Sequence, residues 1–161
     1  MTKPQFKKLQ NSLGLSDEDY LRFAGIDDIN EINLLRNASH PRQQALMNQL
    51  AILDAKIETA VINEIDLYSR RAERDTVLIR FLTDDDFALY EPDLYENLGG
   101  AMVHGNFITR LKQAIERLGG RADIAFMDSA FYEAWLGVND FDDSRDLRLA
   151  WARQQMRGLD K

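Results

Sequence analysis

Apolar residues recur every three or four positions along most of the chain, the period of helices buried on one face. Phe6, Leu9 and Leu13 mark a first helix over Pro4–Leu13, with proline suited to its first turn and Gly14 at its end. Ser16 followed by Asp17, Glu18 and Asp19 is an N-cap with acids where the helix dipole favours them, so a second helix starts near residue 17. It carries Tyr20, Leu21 and Ala24 and stops at Gly25. Asp27 or Asp28 caps a short third helix bearing Ile29, Ile32 and Leu35, which ends near Asn37–Pro41.

A long fourth helix is expected from about Pro41 to Arg74. Its apolar stripe is Leu46, Leu50, Leu53, Ile57, Val61, Ile65 and Tyr68, widened by Ala51, Ala55 and Ile62. A helix of roughly thirty residues spans about 45 Å, more than the width of a three-helix unit, so something else must cover its far half. Thr76–Thr83 is short, β-branched and flanked by polar runs, and is the first predicted strand; Ala122–Phe126, after Gly119 and Gly120, is the second. Between them Phe107, Leu111, Ile115 and Leu118 define a helix over Met102–Leu118, and two last helices, near Ser129–Leu136 and Ser144–Met156, carry Trp135 and Trp151. The expected fold is therefore mainly α with a minor β part: a helix-turn-helix bundle over residues 1–40, a connecting helix over 41–74, and a C-terminal helical part over 75–161 with a small two-stranded element.

Composition narrows the function. The 161 residues are 45% hydrophobic, enough for a real core, and contain no cysteine, which excludes disulfides, thiolate zinc sites and cysteine nucleophiles. The first eight residues show no apolar run behind their charges and no window approaches the roughly 18 apolar residues of a membrane span, so a cytoplasmic protein without membrane contact is expected. The net charge of −7 argues against nonspecific coating of nucleic acid. That charge is unevenly spread, because basic and acidic residues balance through Leu53 and the whole excess lies beyond it.

Motifs for other chemistry fail on inspection. Asp84–Asp86 precede Phe87 as a helix start would, and no further ligands for a metal accompany them. Asp140, Asp142, Ser144 and Asp146 mimic the start of a calcium loop, but Arg145 and Trp151 stand where glycine and glutamate are needed. Gly100 and Gly105 have phosphate-loop spacing without the lysine. His40 and His104 lack an evident carboxylate partner and are expected in a turn or at the surface; Phe131, Trp135 and Trp151 are expected in the core. No nucleophile, base and orienting group can be assembled, so neither an enzyme nor a cofactor is expected.

Three short helices in about 35 residues, the second and third joined by a tight turn, have the geometry that lays one helix in a major groove while its neighbour crosses the backbone. The run Phe6–Ser16, with Leu13-Gly14-Leu15-Ser16 at its end, and Tyr20–Ile26, with Gly25 before Ile26, resembles the opening of lambda-repressor-like (Xre-type) helix-turn-helix proteins. Pro41 leading into a long helix, then Val77–Phe81, an acidic segment and a helix closing on Ala122-Asp123-Ile124, is similar in order to the YdiL-like and anti-CRISPR-associated repressors, over about residues 1–127. The resemblance implies a transcriptional repressor, a homodimer acting on promoters near its own gene. Asn30, Glu31, Asn33 and Asn37 would then face base edges, since Asn can pair adenine and Glu can accept from cytosine. Lys3, Lys7, Lys8, Arg22, Arg36 and Arg42 would contact phosphates, with Gln43 and Gln44 as weaker candidates.

The chain departs from that pattern in its third helix, which lacks the family's tryptophan and opens with two acids that repel phosphate. A protein-interaction module that keeps the helix-turn-helix only as scaffold is thus the alternative expectation.

Overall fold

The computed structural model describes residues 3–31 and 42–159. The fold is mainly α with a small parallel sheet, and the chain divides into two compact units, residues 1–59 and 60–161.

In the first unit, α1 (Lys3–Ser12) and α2 (Asp17–Ala24) form as their sequence patterns predict. Phe6 and Leu13 of α1 and its end, and Tyr20 and Leu21 of α2, are buried, and the rings of Phe6 and Tyr20 meet edge to face at 5.1 Å. Ser16 closes a capping box: its hydroxyl accepts from the Asp19 N–H, and the Asp19 carboxylate accepts from the Ser16 N–H. The buried Gln10 ties the intervening turn to α1, donating to the Leu15 carbonyl at 3.2 Å and to Asp17 Oδ1 at 2.8 Å. Such a fully satisfied polar group fixes the path between helices more specifically than apolar contact does.

The helix α3 (Gln43–Ser69) begins in the first unit and ends in the second. Leu46, Leu50, Leu53, Ile57, Val61 and Tyr68 are buried as its stripe predicts, whereas Ala51, Ala55 and Ile62 face solvent, so the stripe is narrower than expected. It also stops earlier than expected. The Tyr68 hydroxyl donates to the Arg74 carbonyl at 2.7 Å, folding residues 70–74 back on the helix end and aligning Asp75 to start a strand.

The second unit is built on that strand, β1 (Asp75–Arg80), followed by α4 (Asp84–Tyr90), α5 (Pro92–Leu98), α6 (Ala101–Arg117), β2 (Arg121–Phe126), α7 (Ser129–Asn139) and α8 (Arg145–Leu159). The strands pair in parallel from Asp75 opposite Arg121 to Arg80 opposite Phe126. Parallel pairing requires a crossover connection, here the three helices α4 to α6. Two strands alone are not a stable sheet, and α6 and α8 each pack against both of them.

The acidic run at Asp84 is a structural start, as its sequence implies. Thr83 caps α4, and Asp84 Oδ1 accepts from the Ala101 N–H at 2.8 Å, capping α6 as well. Asp143, next to the false calcium loop, accepts from the Tyr132 hydroxyl and from Arg148.

Several side chains lie where periodicity does not put them. Phe131 is 71% exposed, Trp135 is half-buried and only Trp151 of the three is in the core. Leu118, at the end of α6, is exposed because the chain turns there into Gly119 and Gly120. His104 is not a surface residue. It is 2% exposed, with ring centroids of Phe87, Phe81 and Phe107 at 4.4, 5.2 and 5.7 Å. His40 lies outside the described residues.

Candidate nucleic-acid interface

The residues expected to meet DNA cluster in sequence around α1, α2 and the segment that follows. That segment leaves α2 through Gly25, which adopts the left-handed conformation (φ 65°) that glycine tolerates and ends the helix by donating to the Arg22 and Leu21 carbonyls. Ile26 is buried behind the turn and its N–H donates to the Leu21 carbonyl at 2.9 Å. The chain therefore emerges from α2 pinned on an apolar residue, with Asp27 and Asp28 exposed.

Asp28 starts the next turn, as one of the two predicted caps. Its Oδ1 accepts from the backbone N–H of Asn30 at 2.9 Å and from the Asn30 side-chain amide at 3.0 Å, and the Glu31 N–H donates to its carbonyl. This is the local pairing expected of Asp two residues before Asn, and it steers the Asn30 amide toward its own cap. The Asn30 side chain is exposed and Glu31 is partly so. Asn33, Arg36 and Asn37, and with them the buried positions Ile32 and Leu35, lie outside the described residues. Ile29, expected on the apolar face of the third helix, is exposed.

Among the basic residues, Lys7 and Lys8 on α1 and Arg22 at the last turn of α2 are exposed, as is Arg42 just before α3. Lys3 belongs to α1, with its side chain outside the described part. Gln43 is corrected outright: it is 4% exposed and cannot reach a phosphate, because it sits on the inner side of the first turn of α3. Gln44 is exposed and its amide donates to Asn48 Oδ1, one turn on.

The electrostatics are mixed. Lys7, Lys8 and Arg22 present positive charge, and Glu18, Asp27 and Asp28 present negative charge within the same short unit. The one resolved titration is that of Tyr20, whose hydroxyl burial pushes up to about 12; it has no hydrogen-bond partner among the described residues and stays protonated as part of the core.

Among the described residues, no three His, Asp or Glu side chains group so as to hold a metal ion, and no helix is long and apolar enough to cross a membrane. No protein-family model matches the chain, and no curated protein is similar enough to count as a relative.

Proposed function

We propose that this chain is a sequence-specific DNA-binding regulator that acts as a homodimer through its N-terminal unit. The observation that carries the reading is the path of residues 10–31: two short helices locked by the Ser16 capping box and Gln10, a left-handed glycine, and an Asp28 cap that opens the next segment. Groove docking needs a third helix set at a fixed angle to the second, and this pinned start of the segment after α2 is what such a helix requires. Lys7, Lys8 and Arg22 are exposed on α1 and α2 and would set the unit's position on the phosphates. A single unit reads only a few base pairs, so two copies on a palindrome, one helical turn between half-sites, complete the recognition.

The second reading, a protein-interaction module on the same scaffold, draws on one observation. The exposed Asp27 and Asp28 lead the segment, and the Asn30 amide is turned to Asp28 instead of standing free. Base-substitution profiling separates the two. With DNA flanking the protein's own coding sequence as target, Asn33→Ala lowers discrimination at one base position by about tenfold, the loss expected for a bidentate base contact. Lys7→Ala weakens every sequence by the same few-fold factor. Unchanged sequence preference in Asn33→Ala would remove the third helix from the interface, and absence of binding to any duplex at low salt would favour the interaction module.

A further inference from the structure

Helix α7 buries one side and leaves an apolar side bare. Tyr132 and Leu136 are buried, and the Tyr132 ring meets that of Trp151 on α8 at 5.6 Å. Phe131 and Val138, which share a face two turns apart, are 71% and 87% exposed. Ala130, Ala134 and Gly137 are exposed as well, and a Cβ added at Gly137 would meet nothing within 4 Å, so no described residue covers that turn. Phe141 continues the apolar surface past the helix end; it is 45% exposed, and its ring lies 5.6 Å from that of the half-buried Trp135. Large apolar side chains bared together and rimmed by polar groups mark an interaction surface, which scattered single ones do not.

The rim selects what covers this face. From Met127 to Ser144 the chain carries five carboxylates, Asp128, Glu133, Asp140, Asp142 and Asp143, all exposed, and no basic residue. The arginines that follow are engaged, Arg145 with Glu64 and the buried Arg148 with Asp143 and Glu91. Asp140 and Asp142, on either side of Phe141, make no hydrogen bond or ion pair among the described residues. Asp140 is also the C-cap of α7, where the helix dipole adds partial negative charge. A two-fold pairing of α7 with a second copy of itself brings carboxylates together in either direction: parallel helices oppose Asp140 to Asp140, and antiparallel helices oppose Asp140 to Asp128. Anionic lipid headgroups meet the same repulsion. A helix whose apolar stripe is flanked by lysine or arginine suits both features, with the stripe over Phe131 and Val138 and the cations at Asp140 and Asp142.

We propose that the exposed side of α7 docks the apolar face of a basic amphipathic helix from another protein. The proposal stands on the second unit alone and holds whether or not the N-terminal unit binds DNA.

The probe is a synthetic helical peptide of about 18 residues, long enough to be helical, with a leucine stripe flanked by lysines; its counterpart carries glutamate in place of lysine. Titration into the full chain, followed by tryptophan fluorescence with Trp135 at the edge of the face, is expected to show saturable binding of the lysine peptide, about tenfold or more tighter than the glutamate peptide. Phe131→Ser and Val138→Ser, at positions too exposed to unsettle the fold, each weaken the lysine peptide about five- to tenfold. Asp140→Asn combined with Asp142→Asn weakens it about threefold and flattens its salt dependence. Asparagine tolerates the left-handed backbone of residue 140 (φ 54°), so the fold is kept. Equal affinity for the two peptides overturns the proposal, as does lysine-peptide binding that neither serine variant weakens. A dimer in sedimentation equilibrium that Phe131→Ser dissociates would give the face to a second copy, and phosphatidylserine-vesicle binding that Phe131→Ser abolishes would give it to a membrane; either result overturns the proposal.

Discussion

Replacing His104 with phenylalanine makes the protein more resistant to acid than the wild type, by about 3 kcal/mol when stability is compared between about pH 7 and about pH 4. The cause is the environment of the imidazole. Desolvation among Phe81, Phe87 and Phe107, reinforced by Arg80, lowers its pKa from 6.5 to about 3 in the folded chain. As pH falls below 6.5, the unfolded chain takes up a proton that the folded chain refuses, so stability declines until the folded pKa near 3 is reached. The limiting slope is about 1.4 kcal/mol per pH unit, which makes about 3 kcal/mol an upper value over this range. Phenylalanine has no proton to gain and fits among aromatic neighbours. Denaturant unfolding of both proteins at the two pH values checks this; stability differences that are equal at both would show that His104 titrates normally in the fold.

Gly120→Ala is expected to destabilise the second unit by about 3 kcal/mol, the upper part of the range for overpacking a well-packed site. Gly120 stands between the end of α6 and β2, where the chain passes the end of α3 at very short range. A Cβ there would lie 1.9 Å from the Tyr68 hydroxyl and 2.9 Å from both the Arg74 carbonyl oxygen and Ile115 Cγ2. The obstacle is not easily moved. Tyr68 is buried and its hydroxyl holds the Arg74 carbonyl, which also accepts the first bond of the sheet, from the Arg121 N–H at 3.2 Å. A double-mutant cycle sharpens the test: Tyr68→Phe alone loses about 1 kcal/mol with its hydrogen bond, but combined with Gly120→Ala it removes the closest clash, so the two costs add to less than their sum. Full additivity would mean that the backbone at Gly120 moves away from Tyr68 freely.

The same two regions show what the sequence made legible. Local chemistry was readable wherever the signal was itself local. Ser16 with three acids behind it, Gly25 after Ala24, and Asp84–Asp86 before Phe87 all predict ends that the structure places within a residue. Both strands were visible as β-branched or apolar runs, and their parallel pairing follows from the helices that separate them. The short α5 was missed, because seven residues give too few turns for a periodic signal and its start depends on Pro92 at its first position. The end of α3 was placed too late, since the residues after Ser69 are as helix-favouring as those before; a hydrogen bond from Tyr68 to a carbonyl six residues on decides it.

Burial was harder to read than helicity. Ala51, Ala55 and Ile62 widen the apolar stripe of α3 on paper and remain exposed, and Phe131 faces solvent although Tyr132 beside it is fully buried. His104 is the opposite error. It precedes Ile108, Leu111 and Ile115 by helical steps and so lies on the buried stripe of α6, a signal outweighed by the usual exposure of histidine.

The proposal of sequence-specific DNA recognition is tested most directly by the salt dependence of binding to the flanking duplex. A regulator that places Lys7, Lys8, Arg22 and their neighbours on phosphates releases a counterion for each, so the logarithm of its affinity falls with the logarithm of salt concentration at a slope of about −0.9 per contact. The account predicts a slope of about −4 or steeper for the dimer on its specific site, with a specific complex that outlasts the nonspecific one as salt rises. A flat salt dependence, or equal affinity for specific and random duplexes across the range, would contradict it.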